Sequence, residues 1–423
     1  MFRLILVSLF CFTSARLSAS ESVRIVCDGP KKDLSNVLLQ LPITAKDNSL
    51  FHVTDAKGMV YANQVRHGSL GLGTEKSVLV ILVTNWKANE NLKLSVTDVT
   101  NNPRSEIHSG KGFQWTTLDN YPLLKLDERP VLEYMNSKHD NSSKTGHYLT
   151  FKLYHHVFDP VDGKTVLTSG AYREDEKKLY AHHRGLFYGF NKISYDDKKQ
   201  ADVWHGSKNE FVSDQGILAQ DAGYLLGSQR LAIDWHGQDG ATFAKEQREL
   251  TAYNLPGGTL IDFVSLLKTD KPKVRLDGDP QHAGFHFRAN MEVADNQKTV
   301  GKEKINLDTY YLRQDGKGKP GETRNWDPKT KKGPVNLDWN AMSFVVGNQR
   351  YTVLYMDHPK NPKEARYSER DYGRFGSYFE YDLTPQNPLL VRYRLWIQRG
   401  DMTLEQCQAL SAAFHYDGKT QPE

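Results

Sequence analysis

The chain is expected to fold as a mostly-β protein: a small N-terminal β-sandwich, then a large antiparallel β-sandwich closed by a C-terminal helix. Three observations predict this. Apolar runs are of strand length and separated by turn residues, no helical repeat intervenes between them, and one good amphipathic helix pattern stands at the very end. Strands that follow one another without helices favour a sandwich over a parallel sheet.

The elements are justified in order. Residues 1–20 read as an export signal: Arg3, an apolar core from Leu4 to Phe12, then the small residues Ser14, Ala15, Ser18, Ala19 and Ser20. An exported, periplasmic or extracellular location follows as an expectation. Residues 21–105 carry short strands at Ser22–Cys27, Asn36–Pro42, Leu50–Thr54, Met59–Gln64, Ser77–Thr84 and Leu92–Val99, with Asp55-Ala56-Lys57-Gly58 as a hairpin turn. Residues 106–122 read as a linker, and 123–423 as the large domain. Its expected strands include Val131–Met135, His147–Phe158, Leu186–Phe190, Gly284–Ala289, Tyr351–Met356 and Leu389–Gln398. In the last of these, Val391, Tyr393, Leu395 and Ile397 point one way and Arg392, Arg394 and Gln398 the other. Thr403 and Gln406 form a capping box for a helix that lines up Leu404, Cys407, Leu410 and Phe414.

Composition narrows the function classes. The formal net charge is +4, from interspersed Lys, Arg, Asp and Glu, so there is no nucleic-acid footprint. After the signal no apolar run is long enough to span a bilayer. There is no G-x-S-x-G, no P-loop and no G-x-G-x-x-G opening a helix, which leaves serine hydrolase, NTPase and dinucleotide-binding readings without support. The cysteines left in a mature chain, Cys27 and Cys407, could pair or stay buried and free; the sequence leaves both open.

The chemistry is concentrated in the large domain. His182-His183-Arg184-Gly185 sets two imidazoles and a guanidinium beside a glycine that permits close backbone approach or a positive φ. Strand alternation implies that one of the two histidines faces a cleft and the other packs behind it. His282 and His286 have the i, i+4 spacing of a helical ligand pair, but Phe285 and Phe287 alternating with His286 and Arg288 favour a strand. Asp357-His358, bracketed by Pro359 and Pro362, offers an acid–base pair at a strand end, and Arg370 lies in a Tyr/Arg/Glu/Asp stretch suited to a sugar cleft. With no HExxH, no paired CxxC and no tight HxH with a carboxylate, no cofactor is expected.

The order Arg129-Pro130, His182-His183-Arg184-Gly185, Trp204-His205-Gly206, a Gly/Phe/Arg strand ending at Arg288, Trp339 and Asp357-His358-Pro359-x-Asn361-Pro362 resembles a bacterial family known as methane oxygenase PmoA, or PmoA-like, over roughly residues 115–415. Its members are uncharacterised domains, with similar exported forms in planctomycete-type bacteria, and the resemblance brings no established catalytic residue. Methane oxidation itself is rejected, because the namesake enzyme subunit is an integral membrane protein and this chain has no span after its signal. Sandwiches of the mutarotase type, which use His and carboxylate groups on sugars, offer a fold analogy.

The expected function is therefore an exported carbohydrate-active protein that binds a sugar or oxidised sugar. His182, His183, Asp357 and His358 are the expected acid–base groups, while Arg184, His286, Arg288, Trp339 and Arg370 hold the substrate. Two alternatives remain: a non-catalytic glycan-binding or surface-assembly module, and a metal-dependent oxidoreductase.

Overall fold

The computed structural model describes residues 22–45, 49–101, 112–171, 180 and 182–423. Residues 1–20, where the export signal is expected, lie outside them. Two large antiparallel sheets dominate. An eight-stranded sheet runs in the spatial order Arg366–Arg370, Arg374–Tyr378, Ala283–Arg288, Leu186–Phe190, Tyr154–Val157, Arg129–Met135, Tyr121–Leu126, Phe113–Leu118. A nine-stranded sheet is built around Thr242–Leu255, Gly258–Lys268, Leu389–Arg399 and Gln349–Asp357.

The sheets pack face to face through aromatic rings. Phe285 of the first lies 4.2 Å from Phe263 and 5.0 Å from Tyr393 of the second, ring centre to ring centre. Val391, Tyr393, Leu395 and Ile397 all enter this core, as their alternation requires, while Arg392 and Arg394 turn away to Gly71 and Asp262.

The N-terminal region forms a four-stranded sheet and a three-stranded sheet, packed through Val37, Leu39, Val53, Ile81 and Val96. The chain's end returns to it: Thr420–Pro422 pairs with Ser22–Cys27, so the large domain does not run to residue 423. The helix Leu404–Phe414 carries the expected capping box, and its own Cys407 is buried. Cys27 and Cys407 are both buried and unpaired. Among the described residues no helix is long and apolar enough to cross a membrane.

Two expectations need correction. The linker ends early, because Phe113–Leu118 and Tyr121–Leu126 form a hairpin whose turn residues Asp119 and Asn120 take positive φ; residues 102–111 lie outside the described part. The expected strand His147–Phe158 divides into a short helix, Lys144–Thr150, capped by the Ser143 hydroxyl, and the strand Tyr154–Val157. A local side-chain cap outweighs weak alternation there.

Candidate functional site

The eight-stranded sheet has two unlike faces. In Ala283–Arg288, Phe285 and Phe287 point into the intersheet core, so His286 and Arg288 point outward. Neighbouring strands follow suit. Phe187 stands beside His286 on the outer face, and Arg374 stands beside Arg288. Three loops cover this outer face, bringing His182-His183, Trp204-His205 and Asp279–His282.

Gly185 makes the first loop work. Its φ is +48°, and a Cβ there would sit 2.3 Å from the His155 carbonyl oxygen. The chain therefore turns sharply into the strand, and the His183 amide donates to the Tyr180 carbonyl at 3.0 Å. Since His182 and His183 occupy this turn rather than the strand, alternation does not separate them. Their rings meet at 4.2 Å, and both approach His282, at 5.7 and 5.4 Å. The strand argument for separating them therefore does not apply, although His182 is part-exposed and His183 is buried.

Each of the other two loops fixes its imidazole with a carboxylate three residues earlier. Asp202 Oδ2 lies 2.8 Å from His205 Nδ1, while its Oδ1 accepts from the His205 and Trp204 amides. Asp279 Oδ1 lies 2.9 Å from His282 Nδ1, and its Oδ2 accepts from Asn191 Nδ2. His205 and His282 approach to 4.7 Å, and His182 and His205 to 4.6 Å.

Beneath this part-exposed layer lies a buried polar floor. His183 is 2% exposed, and neither of its ring nitrogens has a partner among the described residues. Trp204 Nε1 and His182 Nε2 are likewise buried and unpartnered. Among the described residues Arg374, fully buried, donates only to neutral groups: His286 Nδ1 at 2.9 Å, the Ser368 hydroxyl at 3.1 Å and the Tyr372 hydroxyl at 3.3 Å. His286 Nε2 then carries the proton and donates to the Ala283 carbonyl. Lys152 Nζ donates to the His182 carbonyl at 2.7 Å and sits 3.7 Å above the Phe187 ring. Arg288 lies under the Tyr372 ring, and Tyr372 stacks on the exposed Tyr180 at 4.5 Å.

Burial and neighbouring cations set the charge states. Desolvation, then Lys152 and His205, push His182 down to about 2. Desolvation, then His182 and Arg374, push His183 well below the usual imidazole range. Lys152 falls well below the ordinary ammonium value, through burial and then Arg184. The site thus presents neutral imidazoles beside buried guanidinium groups.

Of the expected site residues, the structure gathers His182, His183, His286 and Arg288. Arg370 stands at the rim, where burial and Arg374 lower its pKa. Arg184 runs behind, against the Tyr148 carbonyl and ring.

Three others lie elsewhere. Asp357 ends a strand of the nine-stranded sheet, and its carboxylate accepts from Asn361 Nδ2 at 2.6 Å and the Tyr367 hydroxyl at 3.2 Å. Tyr367 belongs to the inner face with Ser377 and Phe285, opposite the histidines. His358 packs on Phe414 of the C-terminal helix, and Trp339 lies under the same helix, donating to Gln408. The Asp357–Pro362 motif is a structural knot, since Asn361 also bonds the Arg392 backbone at both its N–H and its carbonyl.

Sequence reasoning named Trp204, His205 and His282 without assigning them to the site, and gave no site role to Lys152 or Arg374. The usable signal was the repeated spacing Asp202-x-x-His205 and Asp279-x-x-His282. Behind these carboxylates lies a polar cleft of about 440 Å³ whose wall includes Asp202 and Asn191 but none of the histidines.

No curated protein matches the chain. Among solved structures it is similar to an alpha-mannosidase from Enterococcus faecalis, at 9% identity and a TM-score of 0.41, over 95% of this chain and 46% of that one. It therefore spans less than half the length of that enzyme. It is also similar to a galactose mutarotase related enzyme from Lactobacillus acidophilus, at 8% identity and a TM-score of 0.30, over 69% of this chain and 98% of that one. Residues 123–412, which hold the whole outer-face site, match a family of unknown function, DUF6807, and the chain belongs to that family.

Proposed function

We propose that the outer-face site binds and transforms a small polyhydroxy carboxylate, a sugar acid, in an exported protein. One observation carries this reading: a buried guanidinium lies beside buried imidazole and indole nitrogens that have no partner among the described residues. Arg374 is fully buried, and no carboxylate bonds to it among the described residues. A guanidinium without a counter-ion is matched by a planar carboxylate. The unpartnered Trp204 N–H and His183 nitrogens supply donors and an acceptor for hydroxyls, and the Tyr180–Tyr372 stack offers an aromatic face at the mouth. A neutral imidazole presents one acceptor and one N–H, so His183 is the group placed to meet the reacting hydroxyl or carbonyl. Asp357 and His358 have no part in it.

Calorimetric titration with D-galacturonate and with D-galactose tests the reading. The acid should bind at least tenfold more tightly than the neutral sugar, and Arg374→Met should remove that preference while keeping the wild-type circular dichroism. Equal binding of acid and neutral sugar, or a preference that survives Arg374→Met, would sink it.

A further inference from the structure

The three part-exposed histidines at the mouth are held in a way that substrate hydroxyls do not require. One ring nitrogen from each of His182, His205 and His282 lies within 4.8 Å of the others. The Asp202 and Asp279 carboxylates occupy Nδ1 of His205 and His282, which places the proton on Nδ1 and leaves Nε2 as the lone-pair donor. An outer carboxylate bonded to the far nitrogen is the arrangement that orients metal-ligating imidazoles and raises their basicity. The third histidine, His182, has no such carboxylate, but its Nε2 is buried and has no partner among the described residues, so it too is free to donate a lone pair.

We propose that His182, His205 and His282 form a three-histidine site for a divalent transition-metal ion, with zinc the ion best suited to the donor set. Imidazole donors suit zinc, copper, iron and nickel, and three protein ligands are the count that leaves a coordination position open for water or substrate. Zn–N bonds of about 2.0–2.1 Å put tetrahedral nitrogens about 3.4 Å apart. The rings reach that spacing by turning about their side-chain torsions, because His205 and His282 are 29% and 22% exposed rather than locked in a core.

Charge balance agrees. A divalent ion is matched by the two carboxylates Asp202 and Asp279, so among the described residues Arg374 keeps no carboxylate partner and stays available to an anion. The unpartnered His183 lies beside the proposed ion, with its ring 4.2 Å from His182 and 5.4 Å from His282, as a group that meets whatever fills the open position. The inference rests on the three histidines and their carboxylates alone, and does not need the sugar-acid reading.

The test uses the full chain without a histidine tag, stripped with EDTA and dialysed. Zn²⁺ is titrated by calorimetry, and Co²⁺ by its visible d–d absorption. One ion per chain should bind, with the intense cobalt bands of a four- or five-coordinate site. His205→Ala and His282→Ala, each with wild-type circular dichroism, should weaken binding at least 100-fold. Asp279→Asn, which keeps the imidazole but loses its orienting carboxylate, should weaken it about 10- to 100-fold. Absence of saturable binding in the wild type, or wild-type affinity in both histidine variants, overturns the proposal. D-Galacturonate binding to the stripped protein is read separately. Sugar-acid binding without metal uptake overturns only the metal site, and metal uptake without acid preference leaves it standing.

Discussion

The inner and outer faces of the eight-stranded sheet are buried to the same degree and could hardly be less alike. Phe285, Phe287 and Phe375 on the inner face and His286, Arg288 and Arg374 on the outer face are all at most 2% exposed. The inner residues meet other apolar rings, and their burial drives folding. The outer residues meet one another, and polar atoms of His183, Trp204 and His182 have no partner among the described residues. A partly satisfied buried network costs stability. Low exposure by itself therefore does not distinguish core from candidate site.

The inner face should therefore carry stability, and the largest expected effect lies there. Phe285→Ala removes a ring stacked between Phe263 and Tyr393, and should cost about 3–5 kcal/mol in urea unfolding. A loss below about 1 kcal/mol, the range of ordinary surface changes, would break the contrast.

Much of the division between the faces was legible in the sequence. The alternation of Phe285 and Phe287 with His286 and Arg288 assigns both faces without a structure. Gly185 announced the close approach that its φ and the His155 carbonyl now explain. The capping box at Thr403 and Gln406 placed the last helix. The convergence of His182, His205 and His282 was not legible, because they come from three loops whose meeting depends on sheet order. The neighbouring strands Leu186–Phe190 and Ala283–Arg288 are separated in sequence by more than ninety residues. Asp357 and His358 misled for a physical reason. A polar group among prolines reads as a site, yet here Asn361 and Tyr367 satisfy the Asp357 carboxylate to close a strand end.

Asp357 sharpens the comparison from the other direction, as a partnered polar group on the inner side. Desolvation outweighs the lowering effects of Lys363, Asn361 and Tyr367 and pushes it up to about 6 from 3.8. Between those values the folded protein holds a proton that the unfolded chain releases. This contribution is fully present below pH about 3.8 and is lost as pH rises through about 6. The full shift corresponds to about 3 kcal/mol. The stability difference between wild type and Asp357→Asn, followed by urea unfolding from pH 4.5 to 7.5, should move against the wild type as pH rises. A difference independent of pH would show that the carboxylate is solvated.

The smallest expected stability change falls on the outer face and has the opposite sign. His183 is 2% exposed and neither ring nitrogen has a partner among the described residues, so those residues give its desolvation no compensating hydrogen bond. Leucine has a similar volume and no polar atom. His183→Leu should therefore raise the urea midpoint at unchanged slope, by about 1 kcal/mol. The same substitution should abolish the D-galacturonate response, because the group that meets the ligand is gone. Stability gained where binding is lost is the mark of a residue retained for function. A loss of more than about 1 kcal/mol would instead make His183 a packing residue, and would place the outer face with the core it otherwise opposes.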